Sequence, residues 1–156
     1  MAGLNHDHAL VFLPRLTDRT DVQLVGIVET NQDLIARYSK RFHLDANLFY
    51  PSLESLFEKA KPQAVATFTS TFEHQHVVET CAAHGVDVMV EKPLATNLKQ
   101  ARAIAAAAQK GGIQVIVNYR TSWYWSQNSF HSSRSAIQPA TIKTSESSFP
   151  LCDSSA

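Results

Sequence analysis

The stretch VQLVGIVETNQDLIARYSKRF, residues 22–42, contains the pattern that decides the fold. Residues 22–29 are β-branched and apolar, which is the composition of a strand buried on both faces. Residues 31–42 then place apolar side chains at helical spacing, with Asn31 as the candidate N-cap. A buried strand followed directly by an amphipathic helix is the βα unit from which parallel sheets are built.

The same alternation continues along the chain. An extended segment is predicted at residues 48–50, and the further predicted strands lie at residues 63–70, 86–92 and 113–120. The helices predicted between them span residues 51–61, 73–85 and 96–112. Their expected end signals are Ser52, Gly85, Thr96 and Gly111. Strands that alternate with helices at this spacing predict an α/β fold with a parallel sheet.

Composition narrows the classes of partner. The chain has 156 residues with 14 basic and 14 acidic side chains, so no net charge attracts nucleic acid or an anionic membrane. No apolar run approaches the roughly 20 residues that span a bilayer, and the start of the chain lacks the pattern of a signal peptide. Cys81 and Cys152 lie far apart and are expected to be reduced thiols, which predicts a cytoplasmic protein.

The chain divides into two parts. Residues 1–125 carry the α/β pattern and are predicted to form one domain. Residues 126–156 contain 10 serines in 31 residues and no apolar periodicity. Such a tail cannot bury enough apolar surface to offset the entropy of ordering, so we expect it to be disordered.

Polar residues at the strand ends are the first candidates for a site, because ligands of parallel sheets bind at the carboxyl ends of the strands. Glu29 ends its strand and could accept hydrogen bonds from ribose hydroxyls, which would favour NAD over NADP. It could equally be a helix N-terminal charge. Thr69, Ser70 and Thr71 could bind phosphate or ribose oxygens at a helix N-terminus, although helix capping explains them better.

Glu91 and Lys92 end the strand at residues 86–92, just before Pro93. A partly desolvated Lys92 could hold a substrate hydroxyl, and Glu91 could orient a nicotinamide ribose or tune the lysine. On spacing alone, a surface ion pair before a proline turn explains both residues better.

Histidine pairs occur at His6 and His8 and at His74 and His76. Residues two apart on a helix do not face each other, and no convergent cysteine or carboxylate set accompanies these pairs. We therefore expect no metal site.

The segment GLNHDH, residues 3–8, stands where a glycine turn would precede the strand at 22–29. It has Gly3, but Asn5 and His8 occupy the second and third glycine positions. Asparagine tolerates positive φ better than most residues, so Asn5 is a mild departure. The apolar segment at residues 9–16 contains Pro14, which we expect to distort or end its helix.

Together these segments resemble the glucose–fructose oxidoreductase/inositol dehydrogenase (Gfo/Idh/MocA) family. The family's Glu-Lys-Pro falls unchanged on residues 91–93, and its Thr-Pro-Asn-x-x-His falls on residues 69–74 with Ser70 and Thr71 as departures. The match spans roughly residues 3–125. Its ordered segments are GLNHDH (3–8), VGIVE (25–29), TSTFEH (69–74), HGVDVMVEKPLA (84–95) and IVNYR (116–120).

The resemblance implies a Rossmann-like NAD(P)-binding domain, with helices on both faces of the sheet, that is joined to a second α/β domain for the substrate. It implies oxidation or reduction of a sugar, cyclitol or related polyol. It gives Lys92 a catalytic or substrate-positioning role, with a cis bond to Pro93. The cofactor-binding residues that it implies are Gly3, Asn5, His6, Glu29, Thr69, Ser70, His74, Glu91 and Asn118.

Two departures from the family bear on activity. Only Met1 and Ala2 precede Gly3, where the family has an apolar central strand, so we expect most of that strand to be lacking and its neighbours to present unpaired backbone groups. The tail does not have the pattern of a second domain. We therefore expect a truncated or frameshifted oxidoreductase that is inactive alone and needs a second domain to bind a polyol; an oligomer is left open. The alternative is a non-catalytic nucleotide-binding remnant or interaction module.

Overall fold

A computed structural model describes residues 1–17 and 19–119 of the chain. Within this part, helices and strands alternate as the sequence predicts. The helices are α1 (Ala9–Thr17), α2 (Gln32–Phe42), α3 (Leu53–Ala60), α4 (His74–Ala83) and α5 (Leu98–Gly111). The strands are β1 (Ile27–Val28), β2 (Phe49–Tyr50), β3 (Ala64–Thr67), β4 (Asp87–Glu91) and β5 (Val115–Asn118). The predicted tail at residues 126–156 lies outside the described residues.

Every strand pair is parallel. β1 pairs with β2, and β4 lies between β3 and β5. Ala2 joins the two sets, because it forms parallel bridges with Val28 of β1 on one side and with Thr67 of β3 on the other. The order β2–β1–Ala2–β3–β4–β5 therefore places the start of the chain in the middle of the sheet.

The start of the chain supplies backbone partners that the sequence analysis expected to be missing. Ala2 donates its N–H to the carbonyl of Ala66 at 2.9 Å, and its own carbonyl accepts from Phe68 N–H at 2.7 Å. On the other side, Val28 N–H donates to the Met1 carbonyl at 2.9 Å. The expectation of unpaired groups is therefore wrong at the carboxyl ends of β1 and β3, because two residues suffice to pair with both neighbours there.

Toward the amino ends of these strands the pairing stops. The strand predicted at residues 22–29 shortens to β1, and residues 22–25 make no backbone hydrogen bond to any described residue. A cleft of about 260 Å³ opens between this segment and β3, and we call it the central cleft. Its lining is mainly apolar and includes Met1, Phe12, Leu24, Val65 and Met89.

Helix ends follow the local sequence signals closely. Asn31 caps α2, and its side chain accepts from the backbone N–H groups of Asp33 and Leu34. Ser52 caps α3 through reciprocal bonds with Ser55. Gly85, which follows α4, has a φ of 67°, the left-handed conformation that the sequence predicts for it.

Three predicted helix signals differ in the structure. Asn97 caps α5 instead of Thr96, because its Oδ1 accepts from Gln100 N–H at 2.9 Å while the Thr96 hydroxyl bonds the Gln100 side chain. Gly112, with a φ of 65°, follows α5 instead of Gly111. Helix α1 continues through Pro14, which is exposed, so the prediction that this proline ends the helix is wrong.

Apolar side chains form a core on each face of the sheet. One core contains side chains of α3, α4 and α5 against alternate residues of β3 and β4, with Leu56, Val78, Ile104, Val65 and Val88 among its members. The other lies beneath α1 and α2 and includes Leu13, Tyr38, Ile27 and Phe68. Helices thus cover both faces, as expected for a Rossmann-like fold. No helix in the described part of the chain has the length and apolarity needed to cross a membrane.

Candidate functional site

The glycine turn contacts the end of β3 so closely that only glycine fits at its first position. Gly3 has a φ of 76°, and a Cβ placed on it would lie 2.6 Å from the Thr69 Cγ2 and 2.9 Å from the Thr69 Cα. Both the backbone conformation and the space therefore exclude a side chain. Asn5 does not adopt positive φ, so the tolerance expected of asparagine is not used there.

Glu29 lies at the end of β1 with its carboxylate directed to the glycine turn. Its Oε2 accepts from Leu4 N–H at 3.0 Å, and its Oε1 accepts from Thr30 N–H and Asn31 N–H, both at 2.9 Å. The last two bonds fit a charge at the start of α2, whereas the bond to Leu4 fixes the carboxylate beside the turn. The helix N-terminal interpretation is therefore confirmed, and the contact of Glu29 with ribose hydroxyls stays a prediction.

A cavity of about 230 Å³, which we call the turn cavity, lies at this edge of the sheet. It is bounded by the glycine turn, the end of β1, the start of α3 and the start of α4. Its polar lining residues are Asn5, Glu29, Thr30, Ser52, Glu54, Thr69, Glu73 and His76. Of the residues predicted to bind cofactor, Gly3, Asn5, Glu29 and Thr69 meet at this cavity.

Ser70 and His74 do not line the turn cavity. Ser70 is bonded through its hydroxyl and its N–H to Glu73, at 2.6 and 3.0 Å, which is the capping arrangement that the sequence favoured. His74 is buried and its Nδ1 lies 3.2 Å from the Leu94 carbonyl, below the loop that follows β4. Burial lowers the pKa of His74, opposed by the backbone carbonyls of Leu94 and Pro93.

Glu91 is fully buried at the end of β4. Its Oε2 lies 3.0 Å from His8 Nδ1, and its Oε1 accepts from Asn118 Nδ2 at 2.6 Å. Glu91 is therefore not a surface partner of Lys92, and the interpretation of this pair as a surface ion pair is wrong. Two residues far away in the sequence hold the carboxylate instead.

Lys92 is exposed, so the partial desolvation expected of its ammonium group is not what the structure shows. The bond between Lys92 and Pro93 is cis, as the family resemblance implies. Lys92 thus leaves the sheet immediately after the buried Glu91, at the same edge as the glycine turn.

His6 and His8 lie in the turn before α1, and not on a helix. His8 N–H donates to His6 Nδ1 at 3.2 Å, and the two rings meet edge to face with 4.5 Å between their centroids. His8 also lines a cavity of about 390 Å³ that is distinct from the turn cavity, and we call it the second cavity. It is lined as well by Phe12, Phe68, Met89 and Asn118. The contact between His8 and Glu91 was not predicted, and the expectation that no carboxylate accompanies the histidine pairs is therefore wrong for His6 and His8. The one signal for this contact was the histidine at the third glycine position.

A model of an oxidoreductase family with an NAD-binding Rossmann fold, GFO_IDH_MocA, matches residues 2–119. The oxidoreductase YceM of Salmonella typhimurium, which is so named without an assigned substrate, is 34% identical to this chain over 112 residues. The aligned residues make up 70% of this chain and 34% of YceM. D-apiose dehydrogenase of Paraburkholderia graminis is 24% identical over 119 residues, which make up 76% of this chain and 30% of the dehydrogenase. The chain thus spans about a third of the length of these curated relatives.

Among solved structures, the fold is similar to that of the WlbA dehydrogenase from Bordetella pertussis, crystallised with NADH and UDP-GlcNAcA. The TM-score is 0.67 at 19% identity, and the similarity covers 78% of this chain and 34% of that one. At this identity the likeness establishes a shared fold.

Proposed function

Because this chain belongs to the Gfo/Idh/MocA oxidoreductase family, matched over its NAD-binding Rossmann domain, we propose that it binds NAD at the turn cavity and serves hydride transfer with a sugar, cyclitol or related polyol. The observation that carries the proposal is the position of Glu29. Its carboxylate is fixed 3.0 Å from Leu4 N–H, so an acidic group borders the cavity beside the glycine turn. An acidic group at this point of a Rossmann fold accepts hydrogen bonds from the adenosine ribose.

The residues of the turn cavity fit a dinucleotide. Gly3 has no side chain, which allows the backbone of the turn to lie directly against Thr69. The cavity of about 230 Å³ joins this turn to Glu29. The Glu29 carboxylate would accept bonds from the two ribose hydroxyls and would repel a 2′-phosphate, so we assign NAD as the preferred cofactor.

The second half of the proposed site is the end of β4. When bound, NAD supplies the hydride acceptor. Asn118 holds Glu91 at 2.6 Å, so that this carboxylate is positioned to orient the nicotinamide ribose. Lys92 follows on the exposed side, where its ammonium group can donate a hydrogen bond to a substrate hydroxyl and position the carbon that gives up hydride.

The class of substrate is proposed from the relatives. One is named for D-apiose, a sugar, and the WlbA structure contains a nucleotide sugar. A polyol fits the chemistry of Lys92, because a hydroxyl is the group that an exposed ammonium can hold beside a nicotinamide. In a complete enzyme of this type we expect a second domain to form the opposing wall.

Because Cys81 is a free and buried thiol, we assign the protein to the cytosol.

A second candidate is a non-catalytic nucleotide-binding module. It is favoured by the state of Glu91, whose two oxygens already contact His8 and Asn118. A carboxylate that is fully buried and contacted on both oxygens has less capacity to bind a ribose than the partly exposed Glu29. In this alternative, the turn cavity binds nucleotide while the end of β4 is purely structural.

Calorimetric titration of the 156-residue chain with NAD tests the proposal. We expect saturable binding that is weakened by Glu29→Ala and unchanged by Lys92→Ala. Turnover is then followed as NADH absorbance against a panel of sugars and cyclitols, with Lys99→Ala as the matched control for Lys92→Ala. Turnover that is lost only in Lys92→Ala supports the oxidoreductase assignment, and absence of NAD binding contradicts both candidates. Binding without turnover is expected both of the second candidate and of an oxidoreductase domain that needs a second domain for its substrate.

A further inference from the structure

We propose that His6, His8 and Glu91 form a binding site for a divalent transition-metal ion of the zinc class. Each residue offers one donor atom, and the three donor atoms all lie within 4.8 Å of one another. Glu91 is fully buried and the two histidines are half-buried, so the donors lie between the core and the solvent. The proposal rests on this geometry and does not depend on the proposed oxidoreductase function.

The separation of the His8 and Glu91 donor atoms matches the coordination sphere of zinc. Zinc binds imidazole nitrogen at about 2.0–2.1 Å and carboxylate oxygen at about 2.0–2.2 Å, which places neighbouring donors about 2.9–3.4 Å apart for angles between square and tetrahedral. The His8 Nδ1 and Glu91 Oε2 are 3.0 Å apart. An ion can therefore bind both atoms with little change in their positions.

The local backbone explains why His6 can join them. Two histidines two apart on a helix would point in different directions, but His6 and His8 precede α1 and their rings meet at 4.5 Å. His6 Nδ1 accepts the His8 backbone N–H at 3.2 Å. Coordination through His6 Nδ1 would replace that bond, whereas coordination through Nε2 would require the other tautomer. In both cases the ion binds a nitrogen of the His6 ring in place of the bond that His6 Nδ1 accepts from the His8 N–H.

The surroundings orient the carboxylate for this role. Asn118 Nδ2 donates to Glu91 Oε1 at 2.6 Å, which leaves Oε2 facing His8. Hydrogen bonds of this kind to a ligand carboxylate fix its direction and support metal affinity. Asn118 is therefore a positioning residue of the proposed metal site.

The donor set selects the class of ion. Two imidazoles and one carboxylate form the protein part of known three-ligand zinc sites, in which a fourth position stays open to water or substrate. Magnesium and calcium prefer oxygen donors, so a site with two nitrogens disfavours them. The open position would face the second cavity, which His8 and Asn118 line.

The test uses the untagged 156-residue chain after treatment with a chelator. Titration with Zn²⁺ by calorimetry should give one saturable site, and Co²⁺ should give the visible absorption bands of a low-coordinate site. His6→Gln and His8→Gln should each weaken Zn²⁺ binding at least tenfold and remove the Co²⁺ bands. His76→Gln, which removes an exposed histidine outside the trio, should change neither.

Circular dichroism of each variant checks that the fold is retained, and the histidine variants are used because they leave the buried Glu91 in place. Mg²⁺ should fail to compete at equal concentration. The proposal is overturned by the absence of saturable Zn²⁺ binding, by binding in His6→Gln or His8→Gln as tight as in the unchanged chain, or by loss of binding in His76→Gln.

Discussion

Asn118 Nδ2 donates to Glu91 Oε1 at 2.6 Å, and the two residues are register partners at the carboxyl ends of β5 and β4. The amide thus binds a fully buried carboxylate whose other oxygen faces His8. The position of Glu91 therefore depends on one neighbouring strand and on the glycine turn. Both the proposed nicotinamide contact and the proposed metal site depend on this arrangement.

Asn118→Ala should lower the free energy of unfolding by about 1–3 kcal/mol, because it leaves one oxygen of a buried carboxylate without its donor. Urea unfolding measures the change. Gln114→Ala, an exposed change near the start of the same strand, is the control and should have an effect within about 0.5 kcal/mol. Equal effects of the two changes would show that the amide does not support Glu91.

Gly3→Ala should destabilise the protein much more than Gly112→Ala. Both glycines have positive φ, 76° and 65°, so both alanines carry the conformational penalty of about 1–2 kcal/mol. Only at Gly3 would the new Cβ also meet Thr69, at 2.6 Å, whereas nothing lies within 4 Å at Gly112. The unfolding temperatures of the two variants separate the two costs. Gly3→Ala carries the backbone strain and the overlap with Thr69, whereas Gly112→Ala carries the backbone strain alone. Similar losses of stability would mean that the turn can move away from Thr69.

Glu29→Gln should reduce the preference for NAD over NADP at least tenfold, which corresponds to about 1.4 kcal/mol. The amide keeps the shape and one acceptor oxygen, its NH₂ group replaces the other acceptor, and the charge that repels a 2′-phosphate is removed. Titration with both cofactors measures the ratio of dissociation constants. Glu58→Gln removes the same charge from an exposed site on α3 and should leave the ratio unchanged. A wild-type chain that binds NADP more tightly would contradict the role given to Glu29.

Stability should rise with pH between about 5 and 8 because of the terminal ammonium group. Burial lowers the pKa of the Met1 ammonium from 8.0 to about 5, and this group donates to the Gly26 carbonyl at 2.7 Å. In this window the unfolded chain binds a proton that the folded chain does not, so a rise in pH favours folding. The stabilisation is complete above pH 8 and is lost as the pH falls toward 5.

An Nα-acetylated chain provides the control for this pH dependence. Its terminal amide keeps an N–H for Gly26 but carries no titrating charge. The difference in unfolding free energy between the free and acetylated chains should change by a few kcal/mol from pH 8 to pH 5, since each pKa unit corresponds to about 1.4 kcal/mol. Contributions from His74, which titrates in both chains, cancel in this difference. Parallel pH profiles would show that the terminus is hydrated in the folded state.

Features set by short-range interactions were predictable from the sequence. Asn31 and Ser52 cap their helices by bonds to residues two or three positions ahead, so the pattern and the structure agree. The cap of α5 moved by one residue, from Thr96 to Asn97, because both side chains can reach Gln100. Local sequence gives the type of element more reliably than its boundary.

Features set by distant partners were not predictable in the same way. Residues 22–25 have the composition of a strand, yet without a pairing neighbour only Ile27 and Val28 form one. His8 and Glu91 are 83 positions apart, and no local pattern indicates that they meet at 3.0 Å. For the candidate site, the residue types at the strand ends were identifiable, whereas the contacts among them required the fold.

The bridges made by Ala2 have a consequence for how the domain opens. Within the described residues, the first three positions provide the hydrogen bonds that connect β1 and β2 with β3, β4 and β5. Fraying of these positions would divide the sheet at its centre, while the outer strands keep their own pairings and helices. The cooperativity of unfolding across the whole domain therefore depends on a segment that elsewhere would be dispensable.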